Sequence, residues 1–149
     1  MLRKRLKYTG LTVVLLLLAA QLIQPDRTNP PVDSVSTFRA IVKPSHEVMA
    51  IFQRACRDCH SHNTVWPWYS HIAPVSWLVA DDVNEGRAHL NFSRWNLYSP
   101  EVSRKKLKEV CQEVRKGDMP LWNYRLMHPP ARLTDNDVKA LCDAASQLP

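Results

Sequence analysis

The sequence predicts an all-α fold, and three observations predict it. Apolar residues recur at helical spacing in several separate stretches. Capping and stop residues stand at the ends of those stretches. Nowhere does a period-two run of β-branched residues appear. With 149 residues the chain has room for one domain plus an N-terminal appendage.

The appendage comes first. Arg3, Lys4, Arg5 and Lys7 precede a mostly apolar run over residues 8–23. That order matches the basic and hydrophobic regions of an export signal. The run is slightly under the roughly 17–25 residues of a comfortable membrane span. Leu18-Ala19-Ala20 makes a poor cleavage site, because Leu18 occupies a position that wants a small residue. Residues 1–24 are therefore expected to be a signal anchor, a transmembrane helix with its basic end cytoplasmic; a cleaved signal is the alternative. The expected location is the inner membrane, single-pass, with the rest of the chain in the periplasm. The charge belongs largely to this segment. Of the net +6, four charges lie in the first seven residues, and the remainder sets 16 basic residues against 14 acidic ones. So near-neutral a body gives no reason to expect a nucleic-acid partner.

Residues 25–44 read as a linker, because Pro25, Pro30 and Pro31 interrupt any helix and most of the stretch is polar. The folded domain is expected over 45–149. Ser45 can cap a first helix that carries Val48, Ile51 and Phe52. Residues 61–74, with Trp66, Trp68 and Tyr69, read as an irregular loop. A second helix is expected from Val75 through Leu78, Val79 and Val83 towards Leu90. The third has Ser99 as cap, Pro100 in the first helical position, Val102, Leu107, Val110 and Val114 as its apolar set, and Gly117 as its stop. Thr134 and Asp137 stand at capping-box spacing before Val138, Leu141 and Ala145.

Chemistry concentrates at the end of the first of these helices, in Cys56-Arg57-Asp58-Cys59-His60. Thiols at i and i+3 and an imidazole at i+4 share one helix face. That spacing suits a porphyrin held by two thioether links, with His60 as the proximal iron ligand: the pattern of c-type haem attachment. A zinc site would want a second paired set of ligands, which Cys111 and Cys142 do not supply. A thiol-exchange site would want a βαβ context, which is absent. Roughly 105 residues make a small core, and a buried haem c would enlarge it, with the five tryptophans packed around it. Trp66, Trp68 and Arg87 are candidate pocket residues, Trp through indole N–H bonds and Arg87 (or Arg132) through carboxylate pairing. For the distal position Met119, followed by Pro120 in a loop before the last helix, is the first candidate. His128 comes next, then Met127 and His71. A thioether ligand raises the potential and suits electron transfer. Cys111 and Cys142 are expected either to form a disulfide or to remain two buried thiols, and His46, His62 and His89 to be solvated.

These elements resemble small single-haem cytochromes c in their order: the Cys-x-x-Cys-His motif, Met119-Pro120, then Leu133-Thr134 leading into the last helix. More closely, the chain resembles the bacterial haem-binding domain family of membrane-anchored cytochromes. The resemblance rests on Asp58-Cys59-His60-Ser61, Trp66-Pro67-Trp68-Tyr69-Ser70, Ser76-Trp77-Leu78, Gly86-Arg87, Leu90-Asn91-Phe92-Ser93 and His128-Pro129. It implies a cytochrome c-like helical domain around one covalent haem, passing single electrons between redox partner proteins. The alternative is a catalytic or sensory haem with a labile sixth ligand. One departure stands out: the last helix reads Asp143-Ala144-Ala145 where cytochromes c carry an aromatic at the helix crossing. Trp122 and Tyr124 are the candidates to compensate.

Overall fold

In the computed structural model, which describes residues 2–147, eight α-helices are joined by short 3-10 turns, and no strand occurs among the described residues. The expected all-α class is what the chain adopts. The N-terminal anchor is not. Helix α1 (Leu2–Ala20) gives its first turns to the basic residues. Its apolar part, residues 8–20, rises only about 20 Å at 1.5 Å per residue, short of a hydrocarbon core of about 30 Å. Among the described residues no helix is long and apolar enough to cross a membrane. The run does not extend to residue 23 as a helix because its end is engaged elsewhere. Gln21 donates to the Ala73 carbonyl at 3.0 Å and accepts from the Ala73 N–H at 3.1 Å, and the Trp77 indole donates to the Ile23 carbonyl at 2.7 Å. The single-pass inner-membrane location is corrected with the anchor.

The stretch read as a linker also contributes structure. After a turn at Ser34–Ser36, helix α2 (Phe38–Val42) begins with Thr37 capping the Ala40 N–H. Its Phe38 is 2% exposed and sits at the centre of the core, 5.0 Å from the Phe52 ring and 4.7 Å from that of Trp95. Phe52 and Phe92 lie 4.6 Å apart in the same cluster. Each such pair contributes about 0.5–1.5 kcal/mol beyond its buried area. Helix α3 (His46–Ala55) is capped by Ser45, as its sequence predicts, and turns Val48, Ile51, Phe52 and Ala55 into this core. The chain breaks helical geometry at Cys56 and resumes in the single turn α4 (Arg57–His60).

Helix α5 (Val75–His89) packs on α4, and the connecting loop makes only a turn at Trp68–His71. Helix α6 (Pro100–Lys116) carries the predicted Ser99 cap and Pro100, and stops at Gly117 in the left-handed conformation, φ +79°. After the short α7 (Trp122–Met127), helix α8 (Asp135–Gln147) starts with the expected reciprocal cap between Thr134 and Asp137. A disulfide joins Cys111 of α6 to Cys142 of α8, resolving the choice left open by sequence. Arg54 of α3 reaches across to Asp137 at 2.6 Å and to the Pro130 carbonyl, fixing the start of α8 against α3. Where the aromatic is missing, Ala144 and Ala145 border a hollow of about 590 Å³ together with Phe38 and Phe52. Neither expected substitute fills it: Trp122 is exposed and Tyr124 lies on another cavity.

Candidate functional site

The cysteine motif opens onto a mostly apolar cavity of about 630 Å³, within the ordinary size range of cofactor sites. Its walls come from several elements. Ala55 ends α3, Cys56 stands at the break after it, Cys59 and His60 lie in α4, α5 supplies Gly86, and Leu90 and Phe92 follow it. Val110 and Val114 of α6, then Met119, Pro120, Leu121 and Tyr124, complete the enclosure. Cys56, Cys59, His60 and Met119, far apart in the chain, thus border one space. Charged residues also line it, Asp82 and Glu85 of α5 and Glu109 and Glu113 of α6 against Lys106, and His89 stands beside them.

His60 is the most constrained of these side chains. Its Nδ1 lies 2.9 Å from the Gly86 carbonyl oxygen and 3.1 Å from that of Leu90. Carbonyls only accept, so Nδ1 carries the proton and Nε2 keeps its lone pair. A backbone carbonyl on one ring nitrogen is the usual way a protein orients a histidine that ligates a metal through the other. Burial pushes the His60 imidazole below its ordinary value, against the pull of the two carbonyls, which favours the neutral form a metal needs. The close approach that allows this depends on Gly86. A Cβ there would stand 2.6 Å from the Cys59 carbonyl oxygen.

Cys56 and Cys59 are free thiols. Burial pushes both up to about 12, helped at Cys59 by Asp82 and Asp58. They are therefore protonated at neutral pH, the reverse of the low-pKa thiolate that thiol exchange requires. Two thiols, a neutral imidazole with a free Nε2, a thioether and an apolar enclosure fit a haem in kind and in size. Cys56, Cys59, His60 and Met119 are the residues that could hold it.

The other expected pocket residues lie elsewhere. Trp68 is 70% exposed, and neither it nor Trp66 lines the cavity. The Arg87 guanidinium turns away to bind the Ser61 and Thr28 carbonyls, Asn29 Oδ1 and Thr64 Oγ1, so it fastens residues 28–29 to the loop after the motif. Arg132 is exposed and outside the cavity. The tryptophans do not form a ring around the cavity: Trp95 is in the core, and Trp122 is exposed. Of the rival distal ligands, His71 and Met127 do not border the cavity, and His128 is stacked on Tyr124 with ring centroids 4.1 Å apart. His62 is buried rather than solvated. Its Nδ1 faces the Pro31 carbonyl and its Nε2 faces the Asn91 amide at 3.0 Å.

Sequence reasoning missed three contributors. Gly86 appeared only as part of a matching dipeptide, Tyr124 only as a packing substitute, and His89 only as a solvated residue. The first two had a signal available: a glycine within a helix, and an aromatic five residues after the candidate methionine.

No curated protein and no solved structure matches this chain. At the level of families there is a match, to the haem-binding domain, over residues 15–147. That span includes every residue bordering the cavity, and the chain belongs to the haem-binding domain family.

Proposed function

We propose that this haem protein is a monohaem c-type cytochrome that carries single electrons between redox partner proteins. One observation carries the reading: Cys56, Cys59 and Met119 share a cavity with a His60 whose Nδ1 is committed to two backbone carbonyls. When bound, a haem supplies an iron that stores one electron by cycling between ferric and ferrous. The chain does the rest. Cys56 and Cys59 would hold the group by thioether links, and the bonds from His60 Nδ1 to the Gly86 and Leu90 carbonyls leave Nε2 to serve as an iron ligand. Met119, on the same cavity, would supply a thioether ligand, which would favour the ferrous state. Leu90, Phe92, Val110 and Val114 keep water out, which lowers the reorganisation that accompanies a change of charge.

A catalytic haem of the peroxidase kind needs a distal acid–base group. His71 and His128 do not border the cavity; of the groups able to move a proton, His89, Asp82 and Glu85 of α5 and Glu109 and Glu113 of α6 do, alongside Met119. The Cys111–Cys142 disulfide supports folding in an oxidising compartment.

Met119→Ala tests the assignment. The variant is expected to keep covalent haem, lose the methionine-to-iron charge-transfer absorption of the ferric protein and shift to high spin, with a lower potential. An unchanged spectrum and potential would remove Met119 from the site.

A further inference from the structure

The segment bearing Met119 is tied down on both sides of the methionine. Upstream, the Asp118 and Met119 N–H groups both donate to the Glu113 carbonyl at the end of α6, at 3.1 and 3.3 Å. Downstream, the Tyr124 phenol of α7 donates to Asp58 Oδ2 at 2.8 Å. Asp58 lies inside the cysteine motif, between Cys56 and Cys59. That bond spans 66 positions of sequence and crosses from the distal wall of the cavity to the turn that carries His60. Asn123 adds a longer bond to Asp82 of α5, at 3.3 Å. The Tyr124 ring is itself held in place by stacking on His128, with 18° between the planes. A six-residue helix has little stability of its own, so these tertiary bonds decide where α7 sits.

We propose that Tyr124 is a positioning residue for the distal ligand: its phenol, bonded to Asp58, latches the Met119 segment to the proximal motif and keeps the sixth position closed to exogenous ligands. The inference rests on the reading of Met119 as the distal ligand. The chain reaches that arrangement through a hydrogen bond to a carboxylate, which is stronger than one between neutral partners. Its loss shifts an opening equilibrium by a factor of roughly ten or more. Phenylalanine at this position keeps the ring and its stack on His128 and removes only the donor.

The test is carbon monoxide association with the ferrous holoprotein, read beside the ferric spectrum, for wild type, Tyr124→Phe, Asn123→Ala and Met119→Ala. Tyr124→Phe is expected to retain covalent haem, bind carbon monoxide at least tenfold faster and weaken the methionine charge-transfer band. Asn123→Ala should move the same way by less. In Asp58→Ala, adding Tyr124→Phe should change the rate no further, because the two groups act through one bond. Amide exchange over residues 119–128 should quicken in Tyr124→Phe. If Tyr124→Phe leaves carbon monoxide binding and the band as in wild type while Met119→Ala alters both, the latch is overturned and the distal assignment stands. If Met119→Ala alters neither, the distal assignment fails and the latch fails with it.

Discussion

At Gly86 the backbone of α5 lies so close to Cys59 that an alanine would place its Cβ 2.6 Å from a carbonyl oxygen, an atom that cannot rotate away. The same glycine offers its own carbonyl to His60. Gly86→Ala is therefore expected to destabilise the fold by about 1–3 kcal/mol, the usual range for overpacking, and to raise the high-spin fraction of the loaded protein. Thermal unfolding and the ferric spectrum measure the two effects; a variant as stable as wild type, with an unaltered spectrum, would remove the close approach as a constraint. At this scale the motif was legible because Cys56, Cys59 and His60 stand within five residues of one another, and the structure brings them to one cavity with Met119, although helical geometry breaks at Cys56. The residues that hold them were not. Gly86 acts through a contact with another helix, and Arg87 binds residues 28–29 and the loop rather than the cavity, choices made only by tertiary packing.

Between elements, the predicted caps recur as bonds: Ser45, Ser99 and Thr134 each accept from the expected N–H. Capping is decided within four residues, which is why sequence reads it well. What it could not read is how one such cap also joins two helices. Asp137 accepts from Thr134 and is paired with Arg54 of α3. Burial pushes its carboxyl up, but the bonds from Arg54 and Thr134 outweigh that and hold it below the ordinary 3.8. A carboxyl held low in the folded state adds stability above its unfolded value and loses it as pH falls through the folded one. Asp137→Asn should therefore cost about 1 kcal/mol at pH 7, given the partial exposure of the pair. The difference from wild type should shrink as pH drops below 3.8. Denaturant titrations at pH 7 and pH 3 check this; an equal penalty at both would assign the effect to something other than charge.

Over the whole molecule, α3, α5, α6 and α8 were foreseeable as helices, but α7, the break between α3 and α4 and the boundary of the body were not. The prolines near residue 30 suggested a tether, and residues 24–33 do carry no helix or strand. Yet Phe38 then enters the aromatic core with Phe52, Phe92 and Trp95. One aromatic in a polar stretch gives no periodicity from which to infer burial. A chain begun at residue 45 is expected to lose at least the roughly 3–5 kcal/mol of a buried Phe truncation, whereas one begun at residue 33 should keep it. Comparative melts of the two decide the boundary. The N-terminal run misled for the opposite reason. Hydropathy registered its apolar residues but not the docking of Gln21 and Ile23 on the body, which ends the helix early.

Whether Cys56, Cys59 and His60 hold one covalent haem, as proposed, is decided by a pyridine haemochrome titration with intact mass on purified protein made alongside a cytochrome maturation system. One haem per chain of the thioether type is expected, with attachment lost in Cys56→Ala/Cys59→Ala and low-spin holoprotein lost in His60→Ala. A chain of unmodified mass, with both thiols open to alkylation after reduction, would contradict it.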